Sequence, residues 1–211
     1  MQRLVETSEA VNANVRRVKH IDLDAASQTA EVGKVPAAAS PYVVATEYGD
    51  SLIHRTVLAC TALPISVADD AGVAQYGGVQ VYTFPEGLIA SLGAIISGNL
   101  TMGVTGTFID AFTGVNALGS AVASTGATLV GTEATWLQST ANATAAAKVA
   151  AISSVSIATQ LTESGGRVYD GTATAAPMFL NFAIADDASH TAGSGTFTGT
   201  ITFAWLKVGD K

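Results

Sequence analysis

The sequence predicts an all-β protein, an antiparallel β-sandwich of jelly-roll-like topology with an extended N-terminal arm. Three observations favour this fold. Apolar and polar residues alternate in many short segments, turn-forming residues separate those segments, and no predicted strand leads into the helical pattern that a parallel sheet requires. We therefore divide the 211 residues into an arm over residues 1–50 and a sandwich domain over residues 51–211.

The arm differs from the body in its charge. Its first 34 residues hold five of the ten lysines and arginines and an equal number of acidic residues, so the whole net charge of −7 lies on residues 35–211. Two prolines within residues 35–41 suit neither a helix nor a central strand, and the alternation over residues 18–23 is incomplete. We expect an extended segment with one short strand. It packs along the body, is ordered by a neighbouring subunit or surface, or is an ordinary flexible terminus.

Three segments of the body show the clearest strand pattern. Residues 197–206 place large apolar side chains on one face and threonines on the other, and residues 178–184 and 100–108 repeat the apolar alternation. An antiparallel sheet with one covered face is the natural interpretation. We expect a helix only within residues 133–151, because alanine is frequent there. Further strands are predicted at residues 51–62, 65–68, 79–84, 89–96, 127–130 and 152–157.

The composition argues against several functions. The net charge of −7 opposes binding to nucleic acid, which requires Lys and Arg to neutralise phosphates. No stretch of about twenty apolar residues is present to span a bilayer, and the start lacks an apolar signal segment, so we expect a protein made in a cytoplasm without membrane association. Cys60 cannot form an internal disulfide, and we expect it to be a core residue rather than a reactive thiol.

Residues that could carry catalysis are few and scattered. A serine or cysteine nucleophile needs a nearby base, and no Gly-x-Ser-x-Gly sequence accompanies His20, His54 or His190. Aspartate pairs at residues 22 and 24, 69 and 70, and 186 and 187 could hold a cation between loops, but such pairs more often bind backbone N–H groups in turns. No nucleotide-binding glycine motif is present. We therefore expect no enzyme activity, no catalytic residue, no metal site and no cofactor.

Three stretches of the chain resemble small virion proteins of tailed bacteriophages. They are residues 79–87 (VQVYTFPEG), residues 170–174 (DGTAT) leading to residues 179–182 (FLNF), and residues 199–205 (GTITFAW) continuing to residues 209–210 (GD). The likeness covers roughly residues 55–210 and depends most on YTFPEG together with the C-terminal pattern. It implies a capsid decoration protein, also called a cement or auxiliary head protein, which adds to the outside of a shell made of a different major capsid protein.

This resemblance implies a structural role and particular partners. The expected partners are the major capsid protein and further copies of the chain, as a homotrimer, with no nucleic acid and no membrane. The expected location is the outer capsid surface of a virion made in the host bacterial cytoplasm. The candidates for contact with the capsid are Arg16, Arg17, Lys19 and His20, for which a solvated basic face without a partner is the alternative. The candidates for the subunit interface are Tyr82, Phe84 and Trp205, and for Trp205 packing in the core is the alternative.

Two other classes of function remain open. One is a different virion component, such as a head-fibre base, a tail protein or a shell-forming subunit. The other is a glycan-binding host-adhesion module or an unrecognised enzyme, which exposed aromatic residues near loop ends would favour. The candidates for glycan contact are Tyr76, Trp136 and Tyr169.

Overall fold

Eleven strands make up most of the described chain. The structure, a computed structural model, describes residues 21–22, 33–49, 53–69, 74–106, 112–124, 128–157, 168–185 and 191–209. One short 3-10 helix, Gly131–Ala134, lies between β6 and β7. The strands are β1 Ile21–Asp22, β2 Val43–Gly49, β3 Ile53–Asp69, β4 Ala74–Thr83, β5 Leu88–Thr105, β6 Gly114–Gly119, β7 Leu137–Ala141, β8 Val149–Ile157, β9 Val168–Asp170, β10 Pro177–Ala185 and β11 Gly193–Gly209.

Every pairing between these strands is antiparallel, and the predicted all-β antiparallel fold is confirmed. The order in the sheet is β7-β6-β10-β4-β3-β11-β5-β8. β2 pairs with the first part of β3, β1 pairs with β2, and β9 pairs with the start of β5. The three longest strands, β3, β11 and β5, lie side by side.

The sheet curls until its two ends meet, which gives the sandwich-like shape. The N–H of Ala143, just after β7, donates to the carbonyl oxygen of Ala151 on β8 at 3.0 Å. Ser154 Oγ on β8 donates to Asn116 Oδ1 on β6, also at 3.0 Å. Register shifts in the ladders of β11 with β3 and β5 add the extra local twist that bulges produce. The inward faces of the curled sheet therefore enclose one core.

The core is built from alternate residues of these strands. On β11 the residues Phe197, Ile201, Phe203 and Trp205 are buried, as the alternation of the sequence predicts. β3, β5 and β10 each contribute apolar side chains at the same period of two, and nearly all of these residues belong to one continuous cluster. The hydrophobic pattern of each strand thus determines which of its sides faces the core.

β3 continues through a position where the sequence predicts a break. Residues 51–62 and 65–68 were expected to form two strands, but Ile53–Asp69 is a single strand. The ladder with β11 shifts register between Phe197 and Gly199, and opposite this shift Ala62 has a φ of 49°. The Ala62 N–H donates to Thr198 Oγ1 at 2.9 Å, so the irregular position stays hydrogen-bonded and the strand resumes.

The prediction of a helix within residues 133–151 is wrong. The segment contains part of the 3-10 helix, β7 and the start of β8. β8 pairs with β5 over nine residues, and this pairing overrides the helix propensity of alanine. The strand predicted at residues 127–130 is also wrong over residues 128–130, which are irregular.

Residues 33–49 belong to the sheet rather than to a separate arm. Lys34 pairs with Thr83 in an isolated bridge, and β2 pairs with β3 along its whole length. Val35, Ala39 and Val43 are buried in the main core cluster. A boundary at residue 50 therefore cuts through the hydrogen-bonded hairpin of β2 and β3. Predictions for residues 1–20 and 23–32 lie outside the described residues.

One outer side of the sheet is covered by the chain itself. Residues 120–124 and 128–134 lie over the outer side of β10 and β6, where Ala123 and Leu129 pack against Ala117 and Ala183 in a second buried cluster. Asn181 holds this covering segment: its Oδ1 accepts from the N–H of Ala123 at 2.9 Å, and its Nδ2 donates to the carbonyls of Ala121 and Glu133. The segment therefore adds a second apolar layer on the outer side of β10 and β6.

Candidate functional site

The residues predicted to form contacts between subunits lie inside the protein. Tyr82, Phe84 and Trp205 are 0%, 1% and 0% exposed, so the proposal that they face a second subunit is not supported by their position. Arg16, Arg17, Lys19 and His20 lie outside the described residues, and their predicted contact with a capsid stays a prediction.

The three aromatic residues lie at the centre of the core, where their rings contact one another or further aromatic rings. The Phe84 ring packs edge-on to Tyr82, Phe203 and Trp205, with centroid separations of 5.1–5.5 Å, and stacks on Trp136 at 4.3 Å. Edge-to-face and offset rings at such distances add to the free energy gained from burial alone. These side chains therefore join β4, β11 and the residue before β7 in one aromatic core.

The aromatic candidates for glycan contact form no open platform. Trp136 is 1% exposed and is stacked between Phe84 and Tyr169. Tyr169 is half-buried and donates from its hydroxyl to the carbonyl of Thr135 at 2.7 Å, and burial raises its pKa to about 12. Tyr76 is half-buried against the covering segment. Trp136 therefore has both ring faces covered, and the two tyrosines are partly buried in the fold.

A buried polar cluster joins β2, β3 and β4. Glu47 lies on the inward face of β2 and contacts His54 Nδ1 on β3 through its Oε1, while its Oε2 accepts from the Tyr82 hydroxyl at 2.9 Å. His54 stacks on Trp205 with ring centroids 3.9 Å apart, and Trp205 Nε1 donates to Thr56 Oγ1 at 2.9 Å. The cluster ties the β2–β3 hairpin to the aromatic core.

The same cluster fixes the chain that leads into β2. The N–H of Gly33 donates to the Tyr82 hydroxyl at 3.1 Å. A Cβ at Gly33 would meet the Tyr82 ring at 2.4 Å, so only glycine allows this close approach. Burial and the neighbouring Glu47 carboxyl raise the pKa of Tyr82 well above its ordinary value. Tyr82 therefore stays a neutral hydrogen-bonding group.

Glu47 and His54 are an acid and base in contact, but their position suits a structural role. Both side chains are less than 5% exposed, so neither meets a solute at the surface. Sequence reasoning missed this pair because each residue is unremarkable alone, and only the β2–β3 register brings them together. The sequence did contain a signal: an ionisable residue stands at an inward position on each of the two strands of the hairpin.

The other candidates for chemistry are also enclosed or dispersed. Cys60 is buried, as expected, and burial raises the pKa of its thiol to about 12, which keeps it protonated and unreactive. Within the described ranges, no group of three or more His, Cys, Asp or Glu residues is arranged to hold a metal ion. The part of the chain that the structure describes contains no helix that is long and apolar enough to cross a membrane.

The most distinctive surface is the outward side of β2, β3, β11, β5 and β8, which we call the outer face. Strand pairing places its residues in cross-strand rows. Its members are half-buried or exposed, in alternation with the core residues of the same strands. The rows are Tyr48, Arg55, Ala204 and Gly93; Thr46, Val57, Thr202, Ile95 and Val155; Val44, Ala59, Thr200, Ser97 and Ser153; and Thr198, Asn99 and Ala151.

The outer face is almost uncharged. Arg55 is the single charged residue among its members, and its guanidinium lies 5.2 Å from the centre of the Tyr48 ring at one corner. Apolar side chains are strongly exposed there: Val44 is 61%, Ile95 47% and Val155 55% exposed. Threonines of β11 form the middle of the surface. The face therefore combines exposed aliphatic groups with hydroxyls, on a broad and regular support.

Comparison of the chain with protein-family models, with curated protein sequences and with solved structures finds no match.

Proposed function

We propose that this chain is a structural protein of a tailed-bacteriophage virion that attaches to the outside of the capsid. Its work is protein–protein contact rather than chemical turnover. The observation that most supports a role in protein–protein contact is the outer face, a five-strand surface with exposed aliphatic side chains and one charge. Contiguous exposed patches of this size commonly mark sites of protein interaction.

The internal organisation of the protein also favours a structural role. The described groups best suited to acid–base chemistry, Glu47 and His54, are buried and bind other parts of the fold. The aromatic residue best suited to stack on a sugar, Trp136, is buried as well. The resemblance of residues 79–87 and 199–205 to virion proteins supplies the link to a capsid.

Contact with the shell is assigned to the basic cluster of the arm, Arg16, Arg17 and Lys19, together with His20. Residues 35–211 carry the whole net charge of −7, so a cationic segment in an otherwise acidic chain is the part best suited to bind acidic patches on capsid subunits. A lattice of many weak contacts multiplies their effect by avidity.

Shells stripped of this protein provide the test. We expect the purified chain to co-sediment with them and to reach a fixed number of copies per shell. The double variant Arg16→Glu/Arg17→Glu is expected to bind about tenfold more weakly, because two exposed ion pairs contribute up to about 1 kcal/mol each. Lys34→Glu is the matched control, an exposed basic residue outside the cluster, and it should bind as the unchanged chain does. Absence of co-sedimentation by the unchanged chain would reject the proposed function.

A further inference from the structure

We infer that the outer face binds the outer face of a second copy of this chain, giving a dimer with twofold symmetry. The first observation is a contrast within the fold. The outer side of β10 and β6 is covered by residues 120–124 and 128–134, which are held there by Asn181. The outer side of β3, β11 and β5 has no such layer among the described residues, and Ile95 remains 47% exposed.

The chemistry of the outer face makes it complementary to itself. A hydroxyl both donates and accepts hydrogen bonds, so two identical threonine arrays in contact can hydrogen-bond to each other in more than one alignment. The aliphatic groups of Ile95 and Val155, which are cross-strand neighbours, have no charge to be left unpaired on burial. A partner recognised by charge would find only Arg55 to bind.

The electrostatics of the whole chain favour the same contact. Each copy carries a net charge of −7, so two copies repel one another wherever acidic surfaces approach. The outer face contains no acidic residue, and a contact through it keeps the acidic residues of the two copies out of the interface.

The size of the surface is sufficient. The four rows contain 17 positions, and at about 4.8 Å between strands and about 6.7 Å between rows they span roughly 550 Å². Two such faces in contact would bury up to roughly 1,100 Å², above the about 1,000 Å² expected of a specific interface. Use of the same patch by both copies requires a twofold axis and closes at two subunits. A ring of three would instead need a second, different patch, and the outer side of β10 and β6 is already covered.

The inference rests on the proposed function only in treating the outer face as a protein contact. A dimer that leaves stripped shells bare would overturn the proposed function and leave the inference standing. A monomer that binds to the shells would overturn the inference and leave the proposed function standing.

The test is the mass of the full chain in solution, measured by light scattering without shells. We expect about 43 kDa for the unchanged protein, twice the 21.3 kDa of one chain. Ile95→Lys is expected to give about 21 kDa, because it places two like charges in a dry interface with no acidic partner. The control Val130→Lys changes a residue that is 66% exposed but lies on the covering segment, and it should remain a dimer.

Three results would overturn the inference: a monomeric mass for the unchanged protein at every concentration, a mass near three chains, or an Ile95→Lys variant that remains dimeric. Circular dichroism establishes that each variant is folded. If Ile95→Lys does not fold, Val155→Lys tests the same row from the neighbouring strand, since Val155 is 55% exposed.

Discussion

Replacing Glu47 with alanine is expected to lower the free energy of unfolding by about 2–6 kcal/mol, because it leaves two buried hydrogen-bonding groups without a partner at about 1–3 kcal/mol each. The change leaves His54 Nδ1 and the Tyr82 hydroxyl without their carboxylate partner in the core. It also weakens the attachment of Gly33, which binds the same hydroxyl. The midpoint of urea unfolding, followed by circular dichroism, measures the loss.

Two variants are controls for this prediction. Glu47→Gln keeps hydrogen-bonding atoms in place and is expected to cost less than the alanine variant. Val130→Ala, at a residue that is 66% exposed and lies outside the outer face, is expected to change stability by less than about 1 kcal/mol. A Glu47→Ala variant as stable as Val130→Ala would show that the cluster does not hold β2 on the core.

Replacing Phe84 with alanine is expected to lower the free energy of unfolding by about 3–5 kcal/mol, since it opens a cavity at the centre of the aromatic core. Phe84 is 1% exposed and contacts four aromatic rings, those of Tyr82, Trp136, Phe203 and Trp205. The neighbouring rings are large and held by hydrogen bonds or stacking, so they cannot move to fill the space. Urea unfolding again gives the magnitude.

The direction of this second prediction distinguishes a core residue from an interface residue. If Phe84 were part of a subunit contact, its removal would change the mass in solution while leaving the monomer stable. The buried position of Phe84 predicts the reverse: the Phe84→Ala protein is less stable to unfolding, and its mass in solution is unchanged. Val104→Ala, at a site 60% exposed, is the control for loss of apolar volume without a cavity.

The strands were predictable because their patterns are local. In β11 threonines alternate with large apolar residues from Phe197 to Trp205, with Gly199 and Ala204 as the exceptions, and this pattern gives the inward and outward faces. The alanine-rich segment before and within β8 misled the same reasoning, because its conformation is decided by pairing with β5, some fifty residues away in sequence. Long-range pairing has no signature in a window of ten residues.

The candidate sites were harder to predict for a related reason. Tyr82 and Trp205, named as interface candidates, lie at the centre of the core. The alternation within a strand shows which residues share a face, but not whether that face meets the core or a second subunit. Glu47 and His54 become partners only through the register of β2 and β3. The sequence shows the threonines of β11 that lie in the outer face. It does not show which strands lie beside β11, and these strands determine how far the outer face extends. Which side of the sheet is covered depends on Asn181 and the segment it binds.

Electron cryo-microscopy of stripped shells after addition of the full chain is the decisive experiment on the proposed attachment. We expect density on the outside of the shell in which the outer face of each subunit is covered by protein. An absence of added density would show that the protein does not attach to the shell, and subunits whose outer faces all point into solvent would show that this surface is not a protein contact.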